Sequence, residues 1–321
     1  AEAAAGSVCC HSPRIENEKK TREKMHEPWS TTSNSADTTG HKRAAGEAEA
    51  GVGGAATNES RPHLLLLECP GSFRYGALFE ALLTAAAVRG HTAPPRFSTV
   101  VCSPAAPPHH VGLEDVDAIL ITGSSASAYE EAEWIAALLE TIREAHERAT
   151  IALVGICFGH QAIAQALGGR GTVTRNERKG LEGGACAWRL EADAKALLAA
   201  LAGGAPPAGD AVRLLCWHND IVARVPTSAG LRDGGSNAFG NQMLFNETGS
   251  ILTFQSHPEF DVATVVAIAE SCAAKGSISA AQLEAIASSS AAAEATLDSE
   301  YIGDVILGLV SQKRRLAVRD P

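Results

Sequence analysis

The chain has 321 residues, of which 45% are hydrophobic and 20% charged, and its formal net charge is −10. That apolar share suits one or two packed domains. The acidic balance excludes nucleic acid as a main partner, because phosphate binding needs clustered Lys and Arg.

Residues 1 to about 60 read as a disordered segment. They are rich in Ala, Ser, Thr, Gly, Glu and Lys, and they cannot bury enough apolar surface to offset the entropy of ordering. Glu16, Glu18, Glu23 and Glu27 make this segment acid-rich, unlike an organellar targeting peptide. Order is expected from His63. The run His63–Cys69 reads as a buried strand, followed by a Pro-Gly loop and a helix over Tyr75–Arg89 that Gly90 stops. A second strand is expected at Phe97–Cys102 and a third at Val116–Thr122, ending at Gly123. Glu130–Arg148 has the spacing of an amphipathic helix, with Ile135, Leu138, Ile142 and Ala145 on one face.

Thr150–Ile156 is expected as a fourth strand and Phe158–Leu167 as a helix closed by Gly168 and Gly169. From Gly184 the pattern becomes β-rich, with strands at Ala185–Leu190, Val212–Trp217, Gln242–Asn246 and Ile251–Gln255 and a helix near Ala194–Ala202. Asp261–Ala274 is helical again, and Ile278–Val318 reads as one or two Ala-rich helices, of which Tyr301–Val310 is the part expected to pack. This alternation predicts an α/β domain over about 61–275, a mostly parallel sheet flanked by helices. A helical tail covers 276–321. No apolar run approaches the ~20 residues of a membrane helix, so no membrane partner is expected.

Eight cysteines are scattered without a C-x-x-C. Neither a zinc site nor a disulfide framework is signalled, and no metal or cofactor is expected. A reducing, cytoplasmic compartment follows as the expectation.

The strongest local motif is Gly155-Ile156-Cys157-Phe158-Gly159, set between an apolar strand and a helix. A nucleophile elbow needs that context: the central residue sits on a strained turn, and small neighbours let backbone approach closely. Composition alone gives such a Gly-x-Cys-x-Gly in a chain like this roughly 7% of the time, so the motif needs partners to be convincing. His257-Pro258-Glu259 supplies them just after the strand Ile251–Gln255. Residues i and i+2 of extended backbone point the same way, which lets Glu259 hold the imidazole of His257 as a base for Cys157. Both motifs follow strands, and the C-terminal ends of parallel strands share one edge, where sites form.

Three segments together resemble a known family: Ile119-Leu120-Ile121-Thr122-Gly123-Ser124, Gly155–Gln161 and Gln255-Ser256-His257-Pro258-Glu259-Phe260. Their order and spacing are similar to those of class I glutamine amidotransferase domains, with a flavodoxin-like glutaminase fold. The run Thr122–Tyr129 followed by Trp134 looks most similar to the stand-alone GMP-synthase-like branch, which includes cytosolic γ-glutamyl peptidases of plants and fungal relatives. The resemblance covers roughly Leu64 to Ala274.

It implies a small-molecule γ-glutamyl substrate, Cys157 as nucleophile, His257 as base and Glu259 as orienting carboxylate. It also implies oxyanion donors at the backbone N–H of Phe158 and Ser124, and substrate contacts at Gly123 and Gln161. For Gln161 a buried polar helix residue is the competing reading. Ser124 stands where relatives usually carry Gly, which puts the loop geometry at issue. His218 in Trp217-His218-Asn219-Asp220 matches a pocket-shaping segment and is read as structural. Arg175, Arg178 and Lys179 are read as a solvated loop. Only about 45 residues follow the core, so a hydrolase of γ-glutamyl amides acting alone is the leading expectation. A glutaminase subunit serving a separate synthetase, and a non-catalytic binding module, are the alternatives.

Overall fold

The structure is a computed structural model that describes residues 61–319, apart from 72–73, 109–110, 205–206 and 208. The segment read as disordered, Cys9, Cys10, His109 and His110 lie outside the described residues. In chain order the elements are β1 (His63–Glu68), α1 (Tyr75–Arg89), β2 (Arg96–Val101), β3 (Ala118–Ile121), α2 (Glu133–Glu147), β4 (Ala152–Ile156) and α3 (Phe158–Gly168). They continue with β5 (Val173–Arg175), β6 (Glu182–Leu190), α4 (Ala192–Leu201), β7 (Ala211–His218), β8 (Asp220–Val222), β9 (Leu231–Asn237), β10 (Gly240–Asn246) and β11 (Ile251–Phe254). Helices α5 (Val262–Ala274), α6 (Ala280–Ala293) and α7 (Ser299–Arg319) follow.

Nine strands form one sheet in the order β2-β1-β3-β4-β11-β10-β9-β6-β7. The first five are mutually parallel and the remaining pairings antiparallel. The sequence dictates the parallel half directly. Leu64-Leu65-Leu66-Leu67, Ala118–Ile121 and Ala152–Ile156 are buried along their whole length, as strands covered on both faces must be. Alternate side chains then fall on opposite sides. Leu64, Leu66, Leu120, Val154 and Ile156 join one core with α1, α4 and α7, while Leu65, Leu67, Ile119, Ile121 and Leu153 join a second with α2 and α3.

Three strands escape the sequence pattern. β5 and β8 have three residues each and pair only with one another. β9 contains Gly234 and Gly235, which argue against a strand on composition, yet packing requires both. A Cβ at Gly234 would stand 2.7 Å from Met243 Cγ, and one at Gly235 2.5 Å from the Arg189 carbonyl oxygen.

The region after 275 is helical, and α7 joins the core over the stretch expected to pack, Tyr301–Val310. Ile302, Val305, Ile306, Leu309 and Val310 are buried with the sheet residues. Helix α7 approaches α4 so closely that a Cβ on Gly308 would overlap the Leu201 carbonyl. The cysteines differ from expectation as well. Cys69, Cys102, Cys157 and Cys272 are buried thiols, but Cys186 and Cys216 form a disulfide across the neighbouring strands β6 and β7. Sequence spacing of 30 residues gave no sign of it, because the antiparallel register alone brings the two together. Among the described residues, no helix is long and apolar enough to cross a membrane.

Candidate active site

Cys157 stands between the last residue of β4 and the first of α3, with φ 54° and ψ −103°. For a residue with a Cβ this is a strained conformation, costing on the order of 1–3 kcal/mol, that persists only where the surroundings enforce it. The enforcement is visible. The Cys157 N–H donates to the Phe254 carbonyl at the end of β11 (2.8 Å), and its own carbonyl accepts the Gln161 N–H (3.1 Å). The flanking glycines are steric necessities: a Cβ on Gly155 would lie 2.5 Å from the Gly159 carbonyl oxygen, and one on Gly159 would overlap the Ile121 carbonyl of β3. The spacing of the motif is therefore the spacing at which α3 can seat on β3 and β4. As first residue of α3, Phe158 presents an N–H that helix geometry leaves without an intrahelical acceptor, at the positive end of the helix dipole.

The Cys157 thiol is buried, with Sγ 3.7 Å from the Trp217 carbonyl on β7. His257 is fixed by its N–H donating to the Leu215 carbonyl of the same strand (2.8 Å). Its Nδ1 donates to Glu259 Oε1 at 2.7 Å, and both side chains are buried. The backbone bends at 255–256 and turns at 258–259, while His257 itself pairs antiparallel with Leu215, so the carboxylate reaches the ring through the turn at Pro258. Phe260 lies flat on the imidazole, with centroids 3.9 Å apart and planes 2° from parallel. Burial alone would push the imidazole pKa down. The Glu259 carboxylate, with the charge and hydrogen bond of Cys157, outweighs it and raises the pKa from 6.5 to about 10. The three side chains expected to act together are thus brought together.

The turn after β3 completes the edge. Ser124 does not take a positive φ, so the side chain in place of Gly introduces no strain there. Its hydroxyl donates to the Pro70 carbonyl (2.6 Å) and accepts the Ala126 N–H (3.1 Å), tying the turn to the β1–α1 loop. Gly123, expected as a substrate contact, has a clearance role: a Cβ there would sit 2.9 Å from His257 Cε1. Gln161 is buried, and its amide nitrogen donates to the Asp220 carbonyl and to Gln255 Oε1 (2.9 and 3.1 Å). Those bonds tie α3 to β8 and to the residue that follows β11.

His218 is structural in this geometry. Its Nε2 lies 2.8 Å from Glu182 Oε2, and its Nδ1 3.0 Å from the Asp220 carbonyl. Asn237 and Gln242 donate to the same buried carboxylate. Glu182, Cys216 and His218 place potential ligand atoms within 4.8 Å of one another, but these hydrogen bonds and the disulfide occupy the donors. His160, within α3, is buried against Thr253 Oγ1 (2.7 Å), and burial lowers its pKa to about 3; it is a neutral core histidine.

Sequence reasoning missed Tyr75, taken only as a helix start. Its buried ring lies beside the His257–Phe260 pair, 6.3 and 6.1 Å away between centroids. No spacing signal marks it, since it belongs to a different strand–loop–helix unit.

The site thus sets a strained cysteine between strand and helix together with a buried His–Glu pair at the C-terminal edge of the parallel strands. Residues 95–265, more than half of the chain, match the family model Glutamine amidotransferase class-I, and the chain belongs to that family. Among curated relatives, the Saccharomyces cerevisiae protein YLR126C, named provisionally as a glutamine amidotransferase, is 36% identical over 44% of this chain and 53% of its own length. Gamma-glutamyl peptidases 3 and 4 of Arabidopsis thaliana are 30% and 29% identical, each over 48% of this chain and 59% and 58% of theirs. The matched stretch thus spans little more than half of each relative. The fold agrees with that of a glutamine amidotransferase from Thermotoga maritima (TM-score 0.57, 18% identity, 78% of this chain and 98% of that one). A second, from Methylobacillus flagellatus, gives a TM-score of 0.53 at 19% identity over 78% and 95%.

Proposed function

We propose that the chain hydrolyses γ-glutamyl amide bonds, in γ-glutamyl peptides or glutamine, through a thioester on Cys157. The observation that carries this reading is the buried His257–Glu259 pair at 2.7 Å, placed to serve a cysteine locked in the elbow conformation. Names of relatives at about 30% identity support the γ-glutamyl class.

Cys157, having given its thiol proton to His257, attacks the side-chain carbonyl carbon as the thiolate, and the carbonyl oxygen becomes an oxyanion facing the N–H groups of Phe158 and Ser124. His257, held protonated by Glu259, gives its proton to the leaving nitrogen as the C–N bond breaks, and the amine departs. Water then attacks the thioester, losing a proton to the now neutral imidazole. The second oxyanion collapses, expels the thiolate and releases glutamate. Glu259 touches no substrate atom; it fixes the tautomer and stabilises the imidazolium.

The test is direct. Purified protein is incubated with glutamine, glutathione and simple γ-glutamyl dipeptides, with Cys157→Ala as control, and glutamate, ammonia and amine release are followed. Cys157-dependent release of glutamate is expected. Turnover that survives Cys157→Ala overturns the nucleophile. Ammonia release from glutamine that rises sharply on adding a partner fraction points to a synthetase-linked glutaminase, and no turnover at all to a binding module.

A further inference from the structure

Tyr75 opens α1, so its side chain leans back over the turn that precedes the helix. That places it at the C-terminal end of β1, next to the end of β3 and on the same edge as the nucleophile. The ring is buried, and the β1–α1 loop makes room for it with glycine: a Cβ on Gly71 would overlap the ring. A Cβ on Gly123 would be in ordinary contact with it, 3.5 Å from Tyr75 Cε1 and Cζ. The hypothetical Gly123 Cβ also stands 2.9 Å from His257 Cε1. Tyr75 and the imidazole edge thus share one neighbour.

That edge matters chemically. Cε1 lies between the two ring nitrogens of His257. Nδ1 is committed to Glu259, so Nε2 is the nitrogen that must deliver the proton to the leaving amine. Tyr75 lies on the Gly123 side of this imidazole, its ring centroid 6.3 Å from that of His257, on the side to which a substituent on the leaving nitrogen would extend. Ammonia carries no substituent to pass. A peptide does, and an aromatic wall with a polar tip suits a planar peptide group. Burial first, then the charges of Cys157 and Glu259, push the phenol pKa up, so the hydroxyl stays protonated.

We infer that Tyr75 walls the leaving-group subsite and selects γ-glutamyl amides whose nitrogen bears a substituent over glutamine. The inference rests on the proposed γ-glutamyl hydrolysis.

The experiment compares kcat/KM for γ-glutamyl-alanine and for glutamine in wild type, Tyr75→Phe, Tyr75→Leu and Tyr75→Ala. Tyr75→Ala is expected to lower the peptide value about tenfold more than the glutamine value, the scale on which a pocket wall discriminates substrates. Tyr75→Phe, which keeps the ring, should hold the peptide-to-glutamine ratio within about threefold of wild type. A merely structural role moves both substrates by the same factor and leaves the ratio unchanged; that result overturns the inference while the function stands. If Tyr75→Ala does not fold, the ratio in Tyr75→Leu, which fills the slot without a ring, decides by the same criterion. A wild-type protein that cleaves neither substrate, or only glutamine, overturns the inference together with the peptide reading.

Discussion

Replacing Glu259 with Gln tests the electrostatics of the site most sharply. In the native arrangement the imidazole of His257 is buried, yet its pKa stands at about 10 rather than 6.5, because the carboxylate 2.7 Å away and Cys157 outweigh desolvation. At about 1.36 kcal/mol per pKa unit, this is a preference for the imidazolium on the order of several kcal/mol. The sign follows from the direction. A histidine whose pKa is raised on folding contributes its stability fully below the unfolded value of about 6.5, and loses it as pH rises through about 10. Gln is nearly isosteric and can still hydrogen-bond, but it removes the charge and leaves only Cys157 to oppose burial. The imidazole pKa should fall.

Two measurements check this. The base limb of the kcat/KM profile, which follows loss of the imidazolium, should lie near pH 10 in wild type and move down in Glu259→Gln. An NMR titration of His257 should show the same displacement. At neutral pH the rate should drop by about 10²–10⁴-fold, the range spanned by positioned proton transfer and by loss of a triad carboxylate, yet stay above that of His257→Ala. If Glu259→Gln matches wild type in rate and pH dependence, Glu259 is not the orienting group. Asp220 is then the next candidate, although its Oδ1 already accepts the Tyr129 hydroxyl at 3.2 Å.

Cys157→Gly should abolish turnover and raise stability by about 1 kcal/mol, because glycine takes the positive φ without strain; a lower Tm for this variant would remove strain from the account. Ile306→Ala on α7 should cost about 2–5 kcal/mol in denaturant unfolding, as for any fully buried isoleucine, and a loss under about 1 kcal/mol would return α7 to the status of an appendage. Reducing the Cys186–Cys216 bond, which spans 30 residues, should lower stability by about 3–4 kcal/mol on the chain-entropy estimate. An unchanged Tm after full reduction, checked by thiol alkylation, refutes that contribution.

How much of this was legible beforehand depends on the range of the interaction. Helix α1 was expected over Tyr75–Arg89 and is found there, because a local apolar pattern and a terminating glycine determine it. The four-leucine run of β1 announced burial on both faces, and with it a parallel sheet. The candidate site residues Cys157, His257 and Glu259 could be singled out beforehand because the elbow and the His-Pro-Glu turn are each compressed into a few residues. The site's walls were not. The glycines of β9 look like strand breakers until Met243 and Trp188 are seen pressing on them. The Ala-rich C-terminal stretch has little amphipathic signature in α6, and the partners of α7, on α1 and α4, lie far away in sequence.

The sequence by itself therefore determined the fold class and marked the residues from which the chemistry is proposed, since both reside in short motifs and in the period of apolar residues. Tertiary structure alone decided what surrounds the chemistry. The disulfide depends on the register of β6 against β7. The clearance role of Gly123 depends on how near the imidazole comes. The place of Tyr75 depends on β1 and β3 being neighbours in the sheet. Each is a contact between residues distant in the chain, set by packing geometry that no local pattern encodes.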